Sequence, residues 1–579
     1  MKLSLLQPGN TSRLITDVFR GYNHNLKILD GEMYDMENLT VDSFPLLSSR
    51  KPRGVKDTLT DPGGLIEKDV LYYVADGALY KLGAEEPLMT GLSAGEKQLV
   101  SMGAYVVIFP DKKYYNTENP EDLGSLEAAW SLTGTISYAP CNVDGEVYTI
   151  KTVSQEEPED PENGDYWLDE DAMSLHQYSA AMGTWTEVQN VYTRVSFPVH
   201  GEIGAAFSEG DGVEISGLAF DELNGTKYIY AMGEDEETGD YIVLVGLVGE
   251  ASQAEGTVQI SRSTPAMDFV IECQNRLWGC YYGSVDGEPI NEVYCSALGD
   301  FKNWRQYQGL STDSWAASVG SDGAWTGAIN YLGHPTFFKE NRIHVVTISA
   351  AGGHRLDETV CRGVQKGSAK SLAVVGETLY YKTRTDVCAW QGGFPTAVSE
   401  PLGEKKYTQA VGGAIGSKYY LSMQGEYGAW SLFVYDTAKG LWTREDELQV
   451  RFFAAVKDEL WAVDDAGRLL AMLGTDGEQE TFSWAMETGL LYYEQPDHKY
   501  LSRYDIRLRM EAGATAKIWM EYDSSGEWVD SGTIKRSGTG TVVVPIRPRR
   551  CDHLRMKLTG TGAVKIYSIA RTLEVGSDV

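Results

Sequence analysis

Short runs of alternating apolar and polar residues recur along most of the chain, separated by turn residues. In Leu65–Gly83, two such runs flank Ala75-Asp76-Gly77 and predict a hairpin. Similar units begin near Lys97 and Phe269 and recur until about residue 480, at intervals of roughly 40–50 residues. Four short strands in a unit of that length predict a β-propeller blade, with a set of stacked β-sandwiches as the alternative.

Two parts of the chain break this rhythm. Tyr115–Pro265 is predicted to form one or two small β-barrel or sandwich domains inserted in a propeller loop, because the blade pattern resumes directly afterwards. Its acidic run, Glu156–Asp171, is predicted to be a solvated loop; the alternative of calcium binding lacks an Asp-x-Asp-x-Asp-Gly frame. The last unit alternates through about eight strands, which predicts a jelly-roll-like sandwich.

The predicted fold class is therefore all-β: a β-propeller with inserted small β domains and a C-terminal jelly-roll-like β-sandwich. The predicted domains are an extended N-terminal arm (1–64), the first blades (65–114), the inserted domains (115–265), the remaining blades (266–481) and the sandwich (482–579).

Composition and charge limit the classes of function that fit this sequence. The 579 residues carry a formal charge of −33, which on average repels nucleic acid. Ala485–Val579 has 14 Lys and Arg against 12 Asp and Glu, so this unit is near neutral and the rest is more acidic still. No apolar stretch is long enough to span a membrane, and the N-terminus lacks the apolar core of a signal peptide.

The sequence contains few motifs that predict a catalytic site or a metal site. Seven cysteines without a CxxC pair and eight scattered histidines indicate reduced, buried thiols and no metal site; no cofactor is expected. Ser321–Trp325 (SDGAW) resembles part of an Asp-box turn, but an Asp-Gly turn before a buried Trp is the favoured interpretation. No catalytic residue group is predicted, and the protein is expected not to be an enzyme. The densest basic cluster, Arg547, Arg549 and Arg550, is predicted to dock on an acidic neighbouring copy; the alternatives are a solvated basic face and, less favoured, contact with nucleic acid.

The N-terminal run resembles the opening of tail proteins of short-tailed bacteriophages, namely propeller-bearing hub (packaged-DNA stabilisation) and nozzle proteins. Two later stretches, Glu292–Trp304 and Gly333–His344, are also similar to phage tail propellers. The residues that carry the N-terminal resemblance are Gly21-Tyr22-Asn23, Leu29-Asp30-Gly31-Glu32, Asp35-Met36-Glu37-Asn38, Pro45 and Arg50-Lys51-Pro52-Arg53-Gly54.

This resemblance implies a structural role in the tail of a virion, after synthesis in the host cytoplasm. Several copies, most often six, would form a ring below the portal and its adaptor, extend the DNA ejection channel, retain packaged DNA and carry other tail proteins or fibres. DNA would pass through without specific binding. The N-terminal arm would contact a neighbouring copy; its predicted contact residues are Tyr22, Asn23, Asp30, Glu32, Asn38, Arg50 and Arg53.

The alternative function is a glycan-binding or glycan-cleaving propeller with an accessory carbohydrate-binding sandwich. Trp167, Trp325 and Trp528 would then be platforms for sugar rings. The lack of a repeated sugar-site motif counts against it.

Overall fold

The computed structural model describes residues 11–349, 353–493, 499–546 and 549–575. Most of these residues form β-strands, and the predicted fold class is confirmed: a β-propeller carries an inserted β domain and a C-terminal β-sandwich. The short helices in this part of the chain are α1 (Glu202–Ala206) and three 3-10 turns at Asp221–Leu223, Ala369–Ser371 and Glu400–Leu402.

The N-terminal segment contributes strands to three different sheets. Its strands are β1 (Thr11–Thr16), β2 (Met33–Glu37), β3 (Leu39–Thr40), β4 (Leu47–Ser49) and β5 (Gly54–Thr58). The segment is therefore built into the body of the molecule, where the sequence predicted an extended arm.

The first two blades follow directly. In the hairpin predicted at Ala75–Gly77, Asp76 and Gly77 both have positive φ, as a two-residue turn of this kind requires. The strands are β6 (Gly64–Lys68), β7 (Val70–Ala75) and β8 (Ala78–Lys81) in blade 1, and β9 (Gln98–Met102), β10 (Tyr105–Phe109), β11 (Lys113–Asn116) and β12 (Leu123–Ser125) in blade 2.

The inserted region contains a seven-stranded sheet around its own core and a separate four-stranded sheet, β14–β17. The acidic run Glu156–Asp171 lies mostly in the exposed turn before β15, and Asp165 pairs with Lys151 at 2.7 Å. The strands are β13 (Ala128–Cys141), β14 (Ile150–Ser154), β15 (Tyr166–Asp169), β16 (Ser174–Ser179), β17 (Thr184–Glu187), β18 (Tyr192–Phe197), β19 (Gly212–Ser216), β20 (Gly225–Tyr228), β21 (Ala231–Asp235), β22 (Gly239–Val245) and β23 (Ser252–Arg262).

Five further sheets complete a seven-bladed propeller within the described residues. Blade 3 contains β24 (Phe269–Glu272), β25 (Leu277–Val285), β26 (Glu288–Cys295) and β27 (Trp315–Ser318), and blade 4 contains β28 (Gly327–Tyr331), β29 (His334–Lys339), β30 (Arg342–Ile348) and β31 (His354–Val360). Blade 5 contains β32 (Ala373–Val375), β33 (Thr378–Lys382), β34 (Val387–Trp390) and β35 (Thr396–Ala397). Blade 6 contains β36 (Tyr407–Ile415), β37 (Lys418–Gly425), β38 (Trp430–Asp436) and β39 (Leu441–Arg444), and blade 7 contains β40 (Val450–Val456), β41 (Glu459–Asp464), β42 (Arg468–Ala471) and β43 (Glu478–Gln479).

The ring closes through the N-terminal segment. Strand β5 pairs with β42, with Gly54 opposite Ala471 and Arg468 opposite Thr58, so blade 7 takes one strand from the start of the chain. Apolar side chains of blade 7, including Trp461, pack with Leu71 of blade 1 in one buried cluster. Propeller closure therefore joins residues about 400 positions apart in the sequence.

The C-terminal sandwich also depends on the N-terminal segment. Strands β1, β3 and β4 join β45, β48 and β50 in one sheet, and β2 joins β44, β46, β47 and β49 in the other. The C-terminal strands are β44 (Ser483–Thr488), β45 (Lys499–Met510), β46 (Thr515–Tyr522), β47 (Val529–Ile534), β48 (Gly538–Val544), β49 (Leu554–Thr561) and β50 (Val564–Val575).

A single apolar core crosses from the sandwich into the propeller. It joins Trp484 and Ile506 of the sandwich to Phe19 and Tyr22 of the N-terminal segment and to Trp442 of blade 6. The two bodies are thus packed on each other rather than linked by a flexible connection.

Domain limits in the structure differ from the predicted limits at two places. Tyr115 lies in β11 of blade 2, so the insertion begins later than predicted, at β13. Gly54–Thr58 belongs to blade 7, so the first 64 residues are not a separate unit.

Candidate functional site

The basic pair of the N-terminal run, Arg50 and Arg53, lies in a buried ionic cluster. Arg53 pairs with Glu445 at 2.6 Å and with Asp446 at 2.7 Å, and Arg50 pairs with Glu480 at 2.8 Å. Arg53 is 1% exposed. We call residues 19–54 the tie, because this cluster joins them to the last blades and to the start of the sandwich.

Electrostatics in this cluster favour the charged forms. Burial alone would raise the pKa of Asp446, but the neighbouring Arg53 outweighs it and the pKa is lowered. Burial would likewise lower the pKa of Arg53, yet Glu445 and Asp446 raise it. The cluster is a network of paired charges, for which removal of one partner costs far more than an exposed pair would.

Tyr22 and Asn38 of the tie also face the interior of their own chain. Tyr22 is 1% exposed and its backbone N–H donates to the Trp442 carbonyl at 2.6 Å. Asn38 accepts a hydrogen bond from Arg50 Nε at 2.6 Å and donates to the Ser483 carbonyl at 2.8 Å. These side chains cannot contact a neighbouring copy as predicted, because this chain already encloses them.

Asp30 forms an ion pair with Arg571 at 2.8 Å, between the tie and the last strand of the sandwich. Burial would raise the pKa of Asp30, but the hydrogen bond and charge of Arg571 lower it overall. Asn23 accepts a hydrogen bond from the side chain of Asn25, and Glu32 accepts the Leu29 backbone N–H. The predicted interface residues thus have partners within their own chain.

The predicted C-terminal basic patch is partly described. Arg549 and Arg550 are exposed, and the Arg549 guanidinium lies 5.5 Å from the centre of the Tyr522 ring. Arg547 lies outside the described residues. The two exposed arginines remain available for an external contact.

Two adjoining cavities of 710 and 870 Å³ open on the face of the propeller that carries the turns leading into the inner strands. We call this pair of cavities the top-face site. Both are lined by Thr326 and Lys366, and together they are lined by eight cationic side chains against four carboxylates. The cationic residues are Lys97, Lys339, Arg342, Arg362, Lys366, Lys370, Arg384 and Arg451, and the acidic residues are Glu96, Asp322, Glu340 and Asp465.

The smaller cavity lies where the inner strands of several blades converge. Lys370 pairs with Glu96 at 2.7 Å, and its Nζ lies 4.1 Å from the centre of the Phe452 ring. Burial lowers the pKa of Lys370 despite Glu96, and the nearby Arg451 lowers it further. Three blades therefore contribute charged side chains to one group near the propeller axis.

The cationic side chains of the larger cavity are of two kinds, those in ion pairs and those without an ion pair. Arg342 pairs with Glu358, and Arg362 pairs with Asp386 at 2.6 Å. In the described part of the chain, Lys366 and Arg384 form no ion pair, and both side chains are exposed. Their charges are available to a bound molecule.

The wall between the cavities contains Trp325 and Thr326, which are 4% and 3% exposed. The Trp325 indole N–H and the Thr326 hydroxyl have no hydrogen-bond partner among the described residues. The buried Lys339 ammonium lies 4.5 Å from the centre of the Trp325 ring. Unpartnered buried donors are costly in a folded protein, but both of these atoms are shielded from solvent and do not face a molecule in the cavities.

His344 next to this wall does not form a catalytic triad. Its Nε2 lies 3.1 Å from Ser321 Oγ and 3.0 Å from Glu358 Oε2, so both neighbours share one ring nitrogen. A triad needs the serine and the acid on different nitrogens. Burial lowers the pKa of His344, and Nδ1 has no partner in the described chain.

The predicted sugar platforms are mostly inaccessible. Trp167 and Trp325 are buried, which is a correction for both, whereas Trp528 is half-buried. Burial of Trp325 does agree with the interpretation of Ser321–Trp325 as a turn before a core tryptophan. Sequence analysis missed Lys366 and Arg384, because the residues directly beside each of them are not basic and only the fold shows that both line one cavity.

The described residues lack two other kinds of feature, a metal-binding cluster and a membrane-spanning helix. Among the described residues, no group of three or more His, Cys, Asp or Glu is arranged to hold a metal ion. No helix in those same ranges is long and apolar enough to cross a membrane.

Comparisons with known proteins give no family. No family model and no curated protein matches the chain. Similar solved structures include Hsv2 of Kluyvelomyces marxianus (9% identity, 57% of this chain and 93% of that one, TM-score 0.23) and an exo-β-1,3-galactanase of Phanerochaete chrysosporium (8%, 69% and 88%, 0.17). Trypanosoma rangeli sialidase is similar over 98% of this chain and 96% of its own, at 8% identity and a TM-score of 0.20. Likeness at this level carries no argument about function.

Proposed function

We propose that this protein is a non-enzymatic structural component of a bacteriophage tail, of the hub or nozzle type. One observation carries the proposal: the residues that bear the sequence resemblance are those of the tie. Tyr22, Asn38, Arg50 and Arg53 hold the sandwich against the propeller. The resemblance therefore concerns the architecture of the whole molecule and not an isolated surface motif.

In this role, several copies, with six as the expected number, form a ring below the portal and adaptor. The ring continues the DNA ejection channel, retains packaged DNA and carries other tail proteins. A net charge of −33 suits a channel through which DNA slides without sticking. The inserted domain, β13–β23, is a candidate platform for fibres.

Quantification of this protein in DNA-filled particles, banded on a density gradient from an induced source culture, tests the proposal. A stoichiometric amount near six or twelve copies in each particle is expected. Absence from every particle fraction would refute the tail assignment.

A second experiment tests how copies associate. Arg549→Glu with Arg550→Glu should weaken ring formation, and more so at low salt, because these exposed cations are proposed to face acidic neighbours. Arg355→Glu is the matched control, since Arg355 is an exposed arginine on a propeller edge strand. An unchanged ring at low salt would remove the patch from the interface.

A second candidate function is glycan binding by the propeller, and the top-face site favours it. Its cavities have the size of small-molecule sites and combine aromatic walls, including Phe269 and Trp430, with polar groups. A shift in melting temperature with a panel of host surface polysaccharides tests this function, since a ligand that binds the folded state raises stability. No shift with any member would count against it.

A further inference from the structure

We infer that the top-face site binds an acidic oligosaccharide, one whose sugar units carry carboxylate or phosphate groups. This inference rests on the second candidate function, glycan binding, and specifies its ligand. It is independent of the tail assignment, because a tail component and a protein outside virions could equally carry such a site.

The charge of the site is the first observation. The cavities have twice as many cationic as acidic lining residues, although the whole chain has 83 Asp and Glu against 50 Lys and Arg. A concave surface of one sign concentrates ligands of the opposite sign. Lys97, Arg342 and Arg362 are paired with carboxylates that do not line the cavities, so the charges open to an anionic molecule are those of Lys366 and Arg384.

The four carboxylates of the site have internal partners, although among the described residues only Glu96 is paired with a cation. Glu96 is held by Lys370, and Asp322 accepts a hydrogen bond from the Tyr282 hydroxyl. Asp465 accepts from the side chain of Gln449, and Glu340 from the backbone N–H of Lys366. Each acidic group has an internal partner, whereas the ammonium of Lys366 and the guanidinium of Arg384 lack an ion pair in the described chain.

The hydrogen-bond donors of the site also favour an anionic ligand. Ammonium and guanidinium groups only donate hydrogen bonds. A ligand rich in acceptors satisfies such a site. Arginine also pairs with planar carboxylates and with phosphates through two parallel hydrogen bonds.

Shape and aromatic content favour a sugar chain over a simple ion. The two cavities adjoin at Thr326 and Lys366 and together extend from the propeller axis toward Arg384. This space accommodates several linked units. The partly exposed rings of Phe269 and Trp430 offer flat apolar faces against which sugar rings can pack.

Titration calorimetry on the full chain tests the inference. The probes are tetragalacturonate, its methyl ester, a phosphorylated tetramannoside and a single-stranded tetranucleotide. Tetragalacturonate, the phosphorylated tetramannoside or both should bind, and which one binds identifies the anionic group. The methyl ester should not bind, because it keeps the sugar chain and loses the charge.

Variants locate the binding. Lys366→Ala and Arg384→Ala should each weaken the affinity about tenfold, the loss expected for one hydrogen bond to a charged group. Arg355→Ala, an exposed arginine on the edge strand β31, is the control and should change nothing. Unchanged folding of each variant is checked by its melting temperature.

Three results would overturn the inference. If the methyl ester bound as tightly as tetragalacturonate, glycan binding would be supported, but the specificity for anionic sugars would be refuted. Equal or tighter binding of the tetranucleotide would assign the site to nucleic acid. Binding of none of the four probes would overturn the inference, whereas failure of the tail assignment shows only in the particle measurement.

Discussion

The molecule uses positive charge in two contrasting ways, in the tie and in the top-face site. In the tie, Arg50 and Arg53 lie close together in the sequence and are buried against carboxylates of the same chain. In the top-face site, cations from separate blades meet at a cavity, and Lys366 and Arg384 are open to solvent. The first set holds the fold together, and the second set is available for binding.

This difference shows that a basic cluster in a sequence does not by itself mark a binding surface. The three charges in Arg50-Lys51-Pro52-Arg53 suggest an exposed patch, yet two of them serve internal ion pairs. The available charges come instead from turns that the sequence separates and the propeller brings together.

Arg53→Ala should give the largest effect on stability. It would leave Glu445 and Asp446 without their closest cation, and loss of one partner of a buried ion pair costs about 3–5 kcal/mol. Urea denaturation measures the free energy of unfolding. Lys51→Ala, a change in the exposed neighbour, is the control and should stay near the wild-type value; equal stability of both variants would refute the structural role of Arg53.

Gly54→Ala should come next. An added Cβ at residue 54 would lie 1.7 Å from the Asp476 carbonyl oxygen, so β5 would have to move in the blade that closes the ring. We expect a loss of about 3 kcal/mol, the upper range for overpacking. Gly134→Ala in β13 meets no atom within 4 Å and serves as control. A neutral Gly54→Ala variant would contradict this packing.

Much of the architecture was predictable from local patterns. Alternation and turn residues such as Asp76-Gly77 act over a few positions, and the all-β propeller they predicted is confirmed. The closing strand and the role of Arg53 were not predictable, because their partners near residues 445–480 are about 400 positions away. Lys366 and Arg384 are only 18 positions apart, but no local pattern shows that the two turns that carry them line one cavity.

Acid should weaken the tie. Asp446 has a lowered pKa in the folded protein, so its contribution is complete above the unfolded value of about 4 and is lost as the pH falls below it. Thermal unfolding midpoints measured between pH 5 and pH 2.5 should therefore fall. In Asp446→Asn the fall should be smaller; an identical pH dependence would exclude Asp446 as a contributor.

The double variant Lys366→Ala, Arg384→Ala should have the smallest effect on stability. Neither charge has an ion pair in the described structure, so the free energy of unfolding should change by less than about 0.5 kcal/mol. Urea denaturation beside Arg53→Ala gives the comparison directly. A loss as large as that of Arg53→Ala would show that the top-face cations are structural too.

The position of β5 has a consequence for the order of events during synthesis. This strand leaves the ribosome early, but its partner β42 begins at Arg468, 410 residues after Thr58. At about 5–20 residues per second, the wait is roughly 20–80 s. Strand β1 waits longer still, for β50. A nascent chain thus carries unpaired strand edges until translation is nearly complete, and a chain interrupted before blade 7 would keep them, as a ready target for chaperones and proteases.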